Sequence, residues 1–261
     1  MCLAAASLSA CAASSEEPAR TLVWSDDFDG PNGALPDPAK WKLEQFADAT
    51  DDEKQCYTDS PDNAHTDGQG YLVISALEQP GNCADGWYRF ITSARLTTQG
   101  LESWTHARFE IRAKMPPGVG TWPAFWALGE DDKVLWPAVG EIDAMEYVGR
   151  DPLHVIGTVH GADHDGQPFF LQARTDSDTR LSADMHTYAV EWDADKVVWY
   201  LDGEEYGRVT RDEVEQEGTW PFDRPFYLIL NLAVGGVLGG DVPDSLTFPQ
   251  EMAVDWVRVY A

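Results

Sequence analysis

The chain has 261 residues, enough for one large domain or two small ones, and its 18 Lys and Arg against 45 Asp and Glu give a net charge of −27. This charge excludes nucleic acid as a partner, because phosphate binding needs clustered Lys and Arg, and it disfavours a strongly anionic polymer as substrate. Hydrophobic residues make up 43% of the chain, which excludes an intrinsically disordered protein, and the 11 Trp offer flat faces that suit sugar rings.

The first twenty residues predict an exported protein. Residues 1–10 are small and mostly apolar, like the end of a signal peptide that lacks its basic start. The sequence Leu-Ser-Ala-Cys ending at Cys11 matches the bacterial pattern in which the Cys is lipidated, and residues 14–18 are typical of a tether. We therefore expect residues 1–20 to be a truncated lipoprotein-type signal and tether, holding the protein at the bacterial cell surface or outer membrane. The alternative is an ordinary secretory site, or a misassigned start codon, and a secreted protein.

The folded part contains two cysteines, Cys56 and Cys83. Two thiols in an exported protein are expected to form a disulfide, and the alternative is a pair of reduced buried thiols. No later apolar run is long enough to span a membrane, so we expect membrane contact only through the lipid anchor.

Residues 21–261 predict a single domain of short strands without repeats or linkers. Apolar or alternating segments predict strands at 71–76, 107–115, 196–201, 204–209, 225–232 and 253–260. Asp202-Gly203 is a strong signal for a two-residue hairpin, and helical periodicity is limited to 211–217. Many short strands with 22 Gly and 16 Pro favour an all-β fold, a two-sheet antiparallel β-sandwich of jelly-roll type with a concave substrate cleft.

Three acidic residues form the strongest candidate for chemistry. Glu141 and Asp143 are two residues apart and share one face of a strand, whereas Glu146 would point the other way unless a β-bulge at Ala144–Met145 adds one residue. Neighbouring carboxylates split their pKa values, leaving one ionised and another protonated, as retaining glycoside cleavage requires. The alternative in so acidic a chain is a solvated strand face.

The segment Glu141-Ile-Asp-Ala-Met-Glu146 resembles the catalytic signature of glycoside hydrolase family 16, in the bulged form of its laminarinase-like branch. The resemblance extends over residues 21–261, because other blocks are similar and stand in the same order. These blocks are 24–30, 93–98, 107–114, 122–128, 226–236 and 254–260.

The resemblance implies a role for each acid. Glu141 would be the nucleophile, Glu146 the general acid and then base, and Asp143 would lie between them and tune the nucleophile. The substrate-binding positions implied are Trp122, Trp126, Trp136, Arg95, Asn63 and His160. For Trp122 and Trp126 the alternative is core packing. For His160 it is a metal cluster with Asp163 and His164, which the intervening Gly161 disfavours.

The resemblance also implies a structural calcium, although no cofactor is expected for catalysis. The matching ligands are the Asp255 side chain and the backbone carbonyls of Asp27 and Gly70, all hard oxygen donors. The alternative is that Asp255 is an exposed acid. The sequence departs from the family at Cys56, where an aromatic residue is common, and in 79–86, which looks like an insertion. A disulfide there would fix a loop near the non-reducing end of the cleft.

The expected function is a retaining endo-β-1,3-glucanase that cuts laminarin-like glucans by double displacement, with a monomer as the default state. One alternative is the same fold and triad acting on mixed-linkage β-glucan or on an algal galactan such as agar. Another is a glucan-binding protein without catalysis, which is disfavoured because Glu141 and Glu146 are both present.

Overall fold

The structure, a computed structural model, describes residues 20–48 and 50–261. The predicted lipidation site at Cys11 lies outside the described residues. The strands in chain order are β1 (Leu22–Asp26), β2 (Lys42–Leu43), β3 (Gln55–Tyr57), β4 (Ala64–Thr66), β5 (Leu72–Asn82), β6 (Tyr88–Ser93), β7 (Arg95–Thr97), β8 (Arg108–Lys114), β9 (Thr121–Gly129), β10 (Glu141–Glu146), β11 (Ile156–Ala162), β12 (Pro168–Arg174), β13 (His186–Trp192), β14 (Lys196–Leu201), β15 (Glu204–Thr210), β16 (Phe226–Val234) and β17 (Gln250–Tyr260). The helices α1 (Arg211–Glu217) and α2 (Gly236–Gly239) follow β15 and β16, and neither is long and apolar enough to cross a membrane.

The strands form two sheets. The ten-stranded sheet has the order β15-β14-β13-β8-β17-β5-β6-β3, with β1 also paired to β17 and β4 to β5. The seven-stranded sheet has the order β12-β11-β10-β9-β16-β7-β2. The predicted all-β, two-sheet jelly-roll fold is confirmed. Within the described residues its one departure from antiparallel pairing is the parallel pair β3–β6.

The two sheets share one apolar core. Along β8 the buried side chains of Phe109, Ile111 and Ala113 alternate with more exposed neighbours, as a strand with one buried face requires. Phe109 contacts Trp192 of β13 edge to face at 4.8 Å, and Trp192 contacts Phe226 of β16 at 5.8 Å. These aromatic contacts cross from the ten-stranded to the seven-stranded sheet and hold the two sheets together.

The β16 strand is the buried centre of the seven-stranded sheet. All nine of its residues are buried, and it pairs with β9 along its whole length and with β7 on its other side. An apolar segment without alternation is typical of such a strand, so the predicted central strand is confirmed.

The β5–β6 hairpin extends from one end of the ten-stranded sheet. Its turn contains Cys83, which forms a disulfide with Cys56 of β3, with the two Cα atoms 5.4 Å apart. The predicted pairing of the two thiols is confirmed, and it fastens the hairpin tip to a second strand.

Candidate active site

A β-bulge in β10 sets the direction of the three acids. Asp143 pairs with Trp126 of β9, and the register then shifts so that Met145 pairs with Phe125 and Glu146 with Ala124. The extra residue is the one predicted at Ala144–Met145. Ala144 and Met145 are buried in the core, which returns Glu146 to the face that carries Glu141.

Each outer carboxylate accepts a hydrogen bond from a tryptophan. Trp136 Nε1 donates to Glu141 Oε2 at 2.9 Å, and Trp122 Nε1 donates to Glu146 Oε1 at 3.2 Å. Thr158 Oγ1 of β11 donates to the other oxygen of Glu146 at 3.2 Å. Both carboxyl groups are therefore held in fixed orientations before any substrate arrives.

The central acid, Asp143, is buried on the face of β10 that also carries Glu141 and Glu146. Its side chain faces His160 of β11, whose Nε2 lies 3.1 Å from Asp143 Oδ2 and 3.6 Å from Glu141 Oε1. Its backbone carbonyl accepts a hydrogen bond at 2.8 Å from the indole of Trp199 in the opposite sheet. The middle of β10 is thereby fixed from both sides.

Burial dominates the electrostatics of the acids. Desolvation raises the pKa of Glu141, Asp143 and Glu146 to about 8 each, and the Asp143 carboxylate adds to the rise at both glutamates. The charge of His160 and the hydrogen bonds from the indoles lower the pKa of both glutamates. Near neutral pH the cluster therefore retains protons, which a general acid needs.

A cleft of about 770 Å³ passes over these acids. It is lined by side chains from β7, β9, β10, β11 and β12 and by the segment before β3. Among the predicted residues, those lining it are Arg95, Trp122, Trp126, Trp136, Glu141, Glu146 and His160, while Asp143 lies beneath, at the floor. Trp122 and Trp126 are only partly buried, which argues against their alternative assignment to the core.

Trp126 is held by a chain of buried hydrogen bonds. Its Nε1 donates to Asn231 Oδ1 at 2.7 Å, Asn231 Nδ2 donates to Tyr57 OH at 3.0 Å, and Tyr57 OH donates to Glu53 Oε2 at 2.9 Å. The guanidinium of Arg95 lies over the Trp126 ring at 4.7 Å. The face of the Trp126 ring is thus fixed by Arg95, and its Nε1 edge is fixed by Asn231.

Asn63, which was expected to bind substrate, is buried inside the fold. Its side chain is fully buried and donates to the carbonyl of Ser75 at 2.9 Å and to Thr92 Oγ1 at 3.0 Å, while its oxygen accepts from Thr58 Oγ1 at 2.6 Å. The expectation that Asn63 contacts substrate is therefore wrong in this structure, because its polar atoms are already used inside the fold.

Several cleft residues were missed by sequence reasoning. Asp48, Asp51 and Phe170 line the cleft, and Glu53 lies at its floor. The polar residues at 53, 55 and 57 alternate as one face of a strand would, and this was the available signal for Glu53. Phe170 gave no such signal, because an aromatic residue in an alternating strand is equally typical of a core.

Two of the predicted calcium ligands, Asp27 and Asp255, lie in or next to the paired strands β1 and β17 of the ten-stranded sheet. Asp26 pairs with Val257 in the β1–β17 ladder, which brings Asp27 beside Asp255, and a Cβ on Gly70 would lie 4.0 Å from the Asp27 carbonyl oxygen. These oxygens suit a hard cation. The Asp255 carboxylate is paired with Arg112, so a cation would have to compete with that guanidinium.

The potential metal ligands grouped with His160 in the structure are not Asp163 and His164, the two residues considered from the sequence. His160 groups with Glu141 and Asp143, their ligand atoms lying within 4.8 Å of one another. Asp163 Oδ1 instead accepts the backbone N–H groups of Asp165 and Gln167, which closes the β11–β12 turn.

Comparisons with known proteins agree with this architecture. The family model for glycosyl hydrolases family 16 matches residues 52–258. A β-glucanase from Rhodothermus marinus is 41% identical over 265 residues, 95% of this chain and 87% of that protein. The structure of an endo-β-1,3-glucanase from Pyrococcus furiosus superposes with a TM-score of 0.84 at 35% identity, covering 93% of this chain and 94% of the other. For the laminarinase from Rhodothermus marinus the TM-score is 0.81 at 40% identity, with coverage of 94% and 98%. The chain belongs to glycoside hydrolase family 16.

Proposed function

We propose that this chain is a retaining endo-β-1,3-glucanase. The observation that carries the proposal is the β-bulge in β10, which places Glu141 and Glu146 on one face with an indole N–H on each carboxyl group. A pair of carboxyl groups beside a sugar-binding cleft is the machinery of glycoside hydrolysis. The similarity to a β-glucanase, an endo-β-1,3-glucanase and a laminarinase supports a β-1,3-glucan as the substrate.

The reaction proceeds in two displacements. In the first, Glu141 Oε attacks the anomeric carbon while Glu146 gives its proton to the glycosidic oxygen, so that the C–O bond breaks and a glycosyl ester forms. In the second, Glu146 takes a proton from water, the water oxygen attacks the same carbon, and the ester bond to Glu141 breaks. The side chains of Asp143 and Glu141 are hydrogen-bonded, and His160 lies against both, so the orientation of the nucleophile is kept between these steps.

The shape of the cleft favours cleavage inside a polymer. Its lining reaches from Phe170 on β12 to Arg95 on β7, across six neighbouring strands. At a strand spacing of about 4.8 Å this is roughly 24 Å, with strands on both sides of β10. About 10 Å of this length lies on the β12 side of β10 and about 14 Å on the β7 side, so a polymer can extend past the acids in both directions. The net charge of −27 opposes sulfated galactans, because polyanion and protein would repel each other.

The test is the release of reducing sugar by the purified chain on laminarin, mixed-linkage β-glucan, agarose and carrageenan in parallel. We expect fast release from laminarin and little from the galactans. Release from a galactan alone would overturn the substrate and leave the family intact. Proton NMR of the first product should show the β-anomer, and an initial α-anomer would exclude a retaining mechanism.

We also propose export and a structural cation as properties of the native protein. The pattern at Cys11 supports a lipid anchor, and labelling with a radioactive fatty acid, with Cys11→Ser as the control, tests it.

The three oxygens near Asp255 support a calcium ion that acts on stability alone. A monomer is the default expectation, and light scattering measures it.

A further inference from the structure

Exposed aromatic side chains occur in two places in the described part of the chain. Trp136 and Phe170 line the cleft. The others, Trp87, Tyr88 and Phe90, stand together at the start of β6, and each has more than half of its surface exposed. Outside the substrate cleft, this hairpin is therefore the one described place where the fold leaves aromatic rings uncovered, and a cluster of exposed rings is a candidate binding site.

The hairpin tip is attached to the wall of the cleft. The Asp85 carboxylate accepts the backbone N–H of Trp87 at 3.3 Å through Oδ1 and that of Ala47 at 2.8 Å through Oδ2. The residue after Ala47 is Asp48, which lines the cleft. One carboxylate thus connects the backbone at Trp87 with the backbone at the edge of the substrate site.

Trp87 and Phe90 belong to different faces of the hairpin. Arg89, Ile91 and Ser93 alternate along β6, and the last two are buried towards the protein. The guanidinium of Arg89 lies over the Trp87 ring at 5.1 Å, which places that ring on the Arg89 side. Phe90 is on the other face, where it contacts Tyr88 edge to face at 5.4 Å.

We propose that Trp87 is a glucan-binding platform outside the catalytic cleft, which holds the polymer where it leaves the cleft beside Asp48. This rests on the proposed function, because the ligand is the same β-1,3-glucan. An indole with one face against a guanidinium has its other face free for the apolar face of a glucose ring. A chain longer than the cleft passes the segment that contains Asp48, and Trp87 is the exposed ring attached there.

The Cys56–Cys83 disulfide holds this platform in place. It joins the hairpin tip to β3, and Ala47 packs with both half-cystines in a small buried cluster. A platform for a rigid polymer must keep its distance from the cleft, because a mobile ring would lose the entropy of being ordered at each binding event. The hairpin segment 79–86 and its disulfide thus act together to position Trp87.

The experiment measures binding without hydrolysis. In a Glu141→Ala background we would determine the dissociation constants for laminarin and for a short β-1,3-linked oligosaccharide that fills only the cleft. Adding Trp87→Ala should weaken laminarin binding about ten-fold and leave oligosaccharide binding unchanged. Adding Cys56→Ser and Cys83→Ser should cause a similar loss, and all three changes together should cause no further loss. If the variant without the disulfide binds laminarin with full affinity, the proposed role of the disulfide in positioning Trp87 is wrong.

Phe90→Ala is the matched control, because it removes a ring that is at least as exposed from the other face of the same hairpin. We expect it to keep the laminarin affinity, and an equal loss in both variants would overturn the assignment to Trp87. A Trp87→Ala variant that binds laminarin normally but changes from dimer to monomer would show self-association instead. If the unaltered chain does not cleave laminarin and the Glu141→Ala parent does not bind it, the proposed function fails as well. If the unaltered chain cleaves laminarin and the Glu141→Ala parent binds it, but Trp87→Ala has no effect, this inference alone fails.

Discussion

The imidazole Nε2 of His160 lies 3.1 Å from Oδ2 of Asp143, a buried oxygen without another hydrogen-bond partner. The two residues come from neighbouring strands, and Glu141 is directly opposite His160 in the β10–β11 ladder. His160 is thus placed to act on the acid cluster from the neighbouring strand, within the cleft lining. Its charge lowers the pKa of Glu141 and Glu146, against the larger effect of burial.

Replacing His160 should therefore move the pH dependence of the reaction. The acidic limb of kcat/KM reports protonation of the nucleophile, and the alkaline limb reports loss of the proton from the acid. His160→Gln keeps a polar side chain without the charge, so the pKa values of Glu141 and Glu146 rise and both limbs shift to higher pH. Initial rates on laminarin between pH 4 and 10 test this, and an unchanged profile would contradict it.

The roles of the two glutamates can be separated by azide rescue. Glu141→Ala and Glu146→Ala should each reduce kcat by a factor of at least about 10³, in the range for loss of a catalytic group. With an activated aryl glycoside, azide can replace either missing carboxylate. We expect the α-glycosyl azide from the Glu141 variant, because azide attacks the free α-face, and the β-glycosyl azide from the Glu146 variant. The reversed products would exchange the two assignments.

Glu53 should make stability depend on pH. Burial raises its pKa to about 7, so the native protein keeps a proton that the unfolded chain releases above about pH 4.5. The contribution of Glu53 to stability is therefore present at low pH and is lost as the pH rises towards 7. In Glu53→Gln the decrease in unfolding free energy between pH 4 and 8 should be smaller, by up to about 3 kcal/mol.

Denaturant titrations at several pH values measure this difference. The exposed Glu251→Gln is the control and should follow the wild type. Parallel curves for the wild type and Glu53→Gln would show that Glu53 ionises normally. Because Glu53 ends the hydrogen-bond chain from Trp126, we also expect its variant to raise KM more than it lowers kcat.

The sequence predicts most of the fold and the centre of the site, because both depend on local patterns. The bulge at Ala144–Met145 follows from the spacing of three acids, and the β14–β15 hairpin follows from Asp202-Gly203. What the sequence does not reveal depends on distant packing. Asn63 looked like a cleft residue, but its partners Ser75 and Thr92 are supplied by the β5–β6 hairpin, so it is buried.

Calcium should stabilise the protein by binding its native state. At a concentration of 100 times the dissociation constant, a ligand specific for the folded chain adds about 2.7 kcal/mol to the unfolding free energy. We expect calcium to raise Tm, a chelator to lower it, and Asp255→Asn to abolish the difference. Arg112→Gln should tighten calcium binding, because it removes the cation that now pairs with Asp255. No response of Tm in the wild type would exclude this site.

The Cys56–Cys83 disulfide should account for a large part of the stability of the chain. It closes a loop of 27 residues, and confining such a loop in the unfolded state is worth about 3–4 kcal/mol. The double variant Cys56→Ser/Cys83→Ser should lose that amount, which corresponds to a decrease in Tm of roughly 10 °C for a domain of this size. Wild type in excess reductant should unfold like the variant. Cys2→Ser/Cys11→Ser, which changes only the predicted signal segment, should unfold like the untreated protein. Equal stability of the oxidised and reduced protein would mean that the hairpin is held by Asp85 and the Ala47 contact instead.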